Sequence, residues 1–249
     1  MKRRKTNILI LLCILICGIC FNLNSLAEPP TNEIRVGLPL GNPPWLYKDE
    51  TTGELKGYEL SIQQELFEPL GLSSQIKPYK NLVRMAAEMV KGMIDAGPLI
   101  YSQGLDLINS PNVSCSPKAY SVSEAYFYAL KDSNIEPTQD LLELANYHVA
   151  FTRLGDIHKL QPNMATSTHR NPKEALKMLI SGRAQLLLSN PSTIKFWENQ
   201  GLGSFKPIYT VGDYQIHMCF SHASLGKARA DEYASQISDK SAELSTRYK

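Results

Sequence analysis

Much of the usual catalytic machinery is missing from these 249 residues. There is no Gly-x-Ser-x-Gly elbow, no phosphate-cradling glycine loop and no cysteine–histidine nucleophile pair. His148, His158, His169, His217 and His222 are scattered, and no two have the spacing of a metal site on one element, so structural roles are expected for them. Neither a low-complexity tract nor a heptad array interrupts the chain. Its longest apolar stretch, residues 8–20, covers about 13 positions, short of the roughly 20 that a bilayer-spanning helix requires.

That short stretch follows the basic cluster Lys2-Arg3-Arg4-Lys5 and precedes Ser25-Leu26-Ala27, small residues suited to a cleavage site. The order is that of a secretory signal peptide over residues 1–27, which places the mature chain, from Glu28, in the periplasm. Ile19 before Cys20 is not small, so soluble export is expected rather than a lipid anchor. The leader carries four positive charges and no acidic ones, so the net charge of +2 falls to −2 on its removal. Nucleic acid is therefore not an expected partner. Cys13, Cys17 and Cys20 leave with it, and Cys115 and Cys219 remain in a compartment that tolerates disulfides. A bridge and two buried thiols both fit, with buried thiols slightly favoured, because sequence does not give the distance between them.

Beyond the leader, apolar runs rich in branched residues alternate with segments of helical period, the pattern of an α/β fold with mainly parallel strands. The first strand is expected over 34–38, followed by a proline-rich loop over 39–45. A helix follows with Tyr58, Ile62 and Leu66 on one face, stopped by Pro69 and Gly71. A second strand spans 74–76, Asn81 caps a helix carrying Leu82, Met85 and Met89, and a third strand runs over 93–97. After an irregular stretch, 98–120, comes an extended run over 125–130. A second set then brings a helix from Thr138 to Leu144, a strand over 147–151 and a helix opened by Asn171-Pro172. A strand over 185–188, a helix capped by Ser192, extended runs over 209–211 and 214–220, and a terminal helix from Leu225 complete it.

The series IRVGL, NPPWLY, GELKGYELSIQQELFEPLGL and KNLVRMAAEMVKGMIDAG between Ile34 and Gly97 resembles the extracellular solute-binding proteins of family 3. These receptors deliver polar amino acids and related compounds to ABC importers. VSCSPKAY, ALKMLISGRAQLLLSN and MCFSHAS add weaker matches further on. The resemblance implies a two-lobed, periplasmic-binding-protein-like type II fold, each lobe a mainly parallel sheet flanked by helices, with two crossing hinge strands. The lobes are expected at residues 28–123 with 215–249, and at 124–214. It further implies a monomer that binds a small molecule without a cofactor and works with an ABC permease in the inner membrane.

Ligands of open parallel sheets bind beyond the carboxyl ends of the strands. Trp45 and Tyr47, after two prolines, offer flat faces there, and the family uses an aromatic at this place; one of them plugging the core is the plainer alternative. Tyr79 stands where the family often sets another cleft aromatic. Arg84, near a helix N-terminus, forgoes a favourable dipole, which an anion-binding role would explain, although a solvated charge is the simpler account. Ser102 matches the family's donor to a ligand carboxylate or is a turn cap. Two departures stand out: no arginine follows Ser102 to grip an α-carboxylate, and Asn190, with Gln185 before it, replaces the aspartate that pairs with an α-ammonium. Arg153 is the candidate substitute for the missing arginine, against a surface pairing with Asp156. These departures move the expected ligand from standard amino acids to another small polar or anionic metabolite. Two alternatives remain: a stand-alone sensory or accessory binding protein, and a dehydratase-like enzyme on the same fold using Glu124.

Overall fold

A computed structural model describes residues 32–102, 105–106, 108–152 and 164–248. Strand β1 (Glu33–Pro39) buries Ile34, Val36 and Leu38 completely and pairs in parallel with β4 (Ser73–Tyr79) on one side. On the other, Val36 meets Ala96 of β5 (Ala96–Ser102). A short hairpin, β2 (Tyr47–Lys48) and β3 (Leu55–Lys56), leads into helix α1 (Tyr58–Phe67). Gly57 gives α1 no side-chain cap, so main-chain carbonyls of the proline loop do that work: Pro44 accepts from Tyr58 N at 3.1 Å and Trp45 from Glu59 N at 3.0 Å. Helix α2 (Leu82–Val90) begins as read from the sequence, Asn81 Oδ1 accepting from Arg84 N at 3.0 Å.

The remaining elements are β6 (Leu105–Asp106), β7 (Val113–Cys115), β8 (Ser121–Leu130), β9 (Val149–Thr152) and β10 (Thr166–His169). Then follow α3 (Pro172–Ile180), β11 (Leu186–Ser189), α4 (Pro191–Asn199), β12 (Phe205–Ser221), α5 (His222–Leu225), α6 (Lys227–Gln236) and α7 (Ser238–Arg247). Among the described residues the main sheet has the order β10-β9-β11-β8-β12-β5-β1-β4. Both outer ends are parallel, and the centre is the long antiparallel pair β8/β12, registered from Phe205↔Leu130 to Ile216↔Ser121. Two half-sheets are thus joined by two crossing strands.

Each half has apolar packing on both faces. In the first, α1, α6 and α7 bury Ile62, Leu66, Ala230 and Leu244 on one side, and α2 buries Met85 and Met89 on the other. In the second, Leu176, Leu179 and Trp197 of α3 and α4 cover one face, while Phe127, Phe151 and Ile208 fill the opposite one. Each such leucine, isoleucine, methionine or phenylalanine contributes about 1.5–3 kcal/mol by leaving water.

Several expectations need correction. The third strand starts at Ala96 rather than at Met93, because Gly92 (φ 74°) ends α2 in a turn that leaves Met93 exposed. The stretch after Pro98 is not wholly irregular: β5 continues to Ser102 against β12, a partner more than a hundred positions later, and β7 pairs with β12 too. Thr138 caps no α-helix; a 3₁₀ turn, Leu141–Leu144, starts at Asp140, whose side chain accepts from Leu142 N. Asn190, not Ser192, caps α4. The two late extended runs are one strand, β12. Finally, Cys115 and Cys219 face each other in adjacent antiparallel strands, 3.9 Å apart at Cα, and form a disulfide in place of two thiols.

Candidate functional site

β1, β4, β9 and β10 all end at one place. Pro39, Tyr79, Thr152 and His169, their last residues, line a cavity of about 710 Å³ between the two half-sheets. The location is the one that parallel sheets prescribe, where loops and helix N-termini converge. The first half contributes Gly41, Asn42 and Trp45 of the proline loop, with Asn81 and Leu82 at the start of α2. The second contributes Arg170, Asn171 and Pro172 at the start of α3. Asn171 Oδ1 accepts from Glu174 N at 2.9 Å, so α3 points a capped, partially positive end at the cavity. Tyr214 and Ile216 of β12 complete the back wall.

Glu59 is the one carboxylate buried in this wall, 5% exposed, in the first turn of α1. Tyr120 Oη donates to it at 3.0 Å and Gln63 Nε2 at 3.2 Å. Burial lifts its pKa to about 7, against the downward pull of those two donors.

The halves touch across the cavity mouth. Trp45 Nε1 donates to Ser192 Oγ at 3.1 Å, Ser192 Oγ donates to Asn190 Oδ1 at 2.7 Å, and Asn190 Nδ2 donates to Tyr214 Oη at 3.2 Å. Thr193 Oγ1 donates to the Pro43 carbonyl at 2.8 Å, Lys173 pairs with Glu50, and the Tyr47 and Phe196 rings meet edge-on at 5.4 Å. The two halves are thus in direct contact beside the cavity.

Of the residues singled out in the sequence, Trp45 and Tyr79 line the cavity. The Tyr79 hydroxyl donates to Glu88, which also accepts from Lys77 and Arg84; these donors, Tyr79 foremost, hold Glu88 down at about 2. Arg84, 76% exposed at its side chain, lies off the wall and steadies Glu88 from outside. Tyr47 packs on Phe196 instead of facing the cavity. Asn190 is occupied as the α4 cap and as a donor to Tyr214, and stands behind the wall. The Ser102 main chain pairs with Tyr214 and Leu105. Arg153 lies outside the described residues. Gln185 accepts from His148 N at 3.0 Å. Glu124 is exposed on β8, takes a hydrogen bond from Tyr126 and is off the wall.

The sequence reading missed Glu59, Tyr120 and Tyr214. Glu59 left a trace: positions 59, 62, 63 and 66 form one helical stripe, and a charge inside a buried stripe needs a reason.

No protein-family model matches the chain, and neither does any curated protein. Solved structures do. An ancestral arginine-binding protein bound to arginine superposes with a TM-score of 0.69 at 16% identity, over 87% of this chain and 98% of that one. A histidine kinase sensor domain with similarity to periplasmic binding proteins gives 0.67 at 18%, covering 86% and 90%. The periplasmic VFT2 domain of Bordetella pertussis BvgS gives 0.67 at 17%, covering 88% and 94%. The half-sheets, their crossing strands and the cavity between them are the two-lobed periplasmic-binding fold, the architecture implied by the resemblance to the family 3 solute-binding proteins.

Proposed function

We propose that this protein is a periplasmic solute-binding protein that closes its two lobes over one small polar or anionic metabolite and delivers it to an ABC-type importer. The observation that carries the reading is the cavity of about 710 Å³ walled by both half-sheets at their strand ends. Two helix N-termini and the exposed Lys80 and Arg170 on the wall favour an anionic or polar group on the solute. The lobes are residues 28–123 with 215–249, and 124–214, crossing where Glu124 pairs with Asp213. Residues 1–27 are the leader that exports it, and it acts as a monomer. Arginine-binding neighbours support ligand capture without chemistry on the ligand.

A second reading, a stand-alone sensory domain, is favoured by the likeness to the kinase sensor and BvgS domains. A thermal-shift screen of residues 28–249 against amino acids, organic acids, amines and sugars tests the binding claim. A ligand at about 100 times its dissociation constant adds about 2.7 kcal/mol of stability. Uptake of the identified solute by cells with and without the protein separates the readings: loss of uptake supports transport, and unchanged uptake supports sensing.

A further inference from the structure

We propose that the floor of the cleft, the Glu59 carboxylate with the rings of Trp45, Tyr120 and Tyr214, is a subsite for an organic cation, an ammonium or guanidinium group of the solute. The inference rests on the solute-receptor reading and names the chemistry of one end of its ligand.

Four observations lead there. First, Glu59 lines the cavity although it is 5% exposed, so whatever fills the cavity meets a carboxylate shielded from water. Second, its only hydrogen-bonding side chains among the described residues are the neutral Tyr120 and Gln63. A carboxylate has about four acceptor positions, and two remain. Third, the protein pairs its other shielded carboxylates with bases: Asp95 with Arg35, Glu88 with Lys77 and Arg84, Glu65 with Arg247. Glu59 has no such partner among the described residues; left alone it avoids a buried charge by holding a proton up to about pH 7, and a ligand cation supplies the opposite charge that lets it ionise. Fourth, four aromatic side chains, Trp45, Tyr79, Tyr120 and Tyr214, line the same cavity, and ring faces attract a weakly hydrated cation while accepting its apolar girth. Lys80 and Arg170, exposed on the same wall, suit the opposite end of such a molecule.

Calorimetry on residues 28–249 with choline, its neutral carbon isostere, agmatine and succinate decides the matter. Choline or agmatine is expected to bind at least about tenfold tighter than the isostere, and Glu59→Gln to remove that preference while leaving any succinate binding in place. The glutamine keeps an acceptor for the Tyr120 hydroxyl; if the variant does not fold, the wild-type ratio of choline to isostere decides alone. A ratio near one, or cation binding untouched by Glu59→Gln, overturns the cation subsite. Where other solutes of the thermal-shift screen still bind, the receptor reading survives that outcome; where nothing binds, both readings fall together.

Discussion

Trp45 and Ser192, 147 residues apart in sequence, are joined by one hydrogen bond across the cleft. Ser192 passes the connection to Asn190, and Asn190 to Tyr214 on the crossing strand β12. The proline loop that walls the cavity, the start of α4 behind that wall and the crossing strand β12 are therefore one hydrogen-bonded chain. It ties the two half-sheets to the strand that crosses between them.

The same contact surface holds the hydroxyl of Thr193, which is buried and donates to the Pro43 carbonyl. Thr193→Val keeps the shape and deletes the donor. A bond of this kind contributes about 1 kcal/mol, so ligand affinity should fall about fivefold. Solution scattering should report a larger radius of gyration for the variant, while its thermal midpoint stays close to the parent's.

Glu59 gives stability a pH dependence of definite sign. Its folded-state pKa, about 7, lies above the ordinary 4.5, so between those values the folded protein keeps a proton that the unfolded chain has released. The stabilising contribution is whole below pH 4.5 and disappears as pH climbs through 7, a change of about 3 kcal/mol. Urea denaturation of the ligand-free parent and of Glu59→Gln, compared from pH 4.5 to 8, should show the parent losing ground by that amount. Parallel curves would contradict the assignment.

Gly57 sits at φ 133° directly beneath the proline loop, where an added Cβ would stand 2.1 Å from the Trp45 carbonyl oxygen. That carbonyl caps α1, so the collision cannot be relieved without freeing the helix start and moving Trp45. Gly57→Ala should cost more than about 2 kcal/mol in chemical denaturation and abolish ligand binding in calorimetry. Gly53→Ala, where nothing lies within 4 Å, should leave binding intact and serves as the control.

The Cys115–Cys219 bridge closes a loop of more than a hundred residues. Replacing both cysteines with serine should lower stability by about 2–5 kcal/mol, and reductant should lower the parent to the same level. Equal denaturation midpoints for the parent with and without reductant would contradict this.

Local signals were readable wherever one residue type decides the backbone. The Asn81 and Asn171-Pro172 helix starts stand where the sequence puts them, because a cap needs only four consecutive residues to form. Signals that depend on distant partners were not. Pro98–Ser102 becomes a strand because β12 lies beside it, and Cys115 meets Cys219 for the same reason. In α1 the hydropathy pattern selected Tyr58, Ile62 and Leu66, yet Tyr58 is 46% exposed while Glu59 and Gln63 are buried. A carboxylate reads as surface until the Tyr120 hydroxyl, 61 positions on, turns up beside it. Asn190 was singled out as the place of a missing ligand aspartate, but its side chain is engaged in capping α4.

β8 to β11, with α3 and α4, lie between the two bridged cysteines, so the second half of the sheet is a covalently closed ring hung from the first. A protease that cuts a single peptide bond anywhere in that ring releases no fragment. The nicked protein runs as one molecule until it is reduced, and what remains folded after the cut is still tethered to the other half of the sheet.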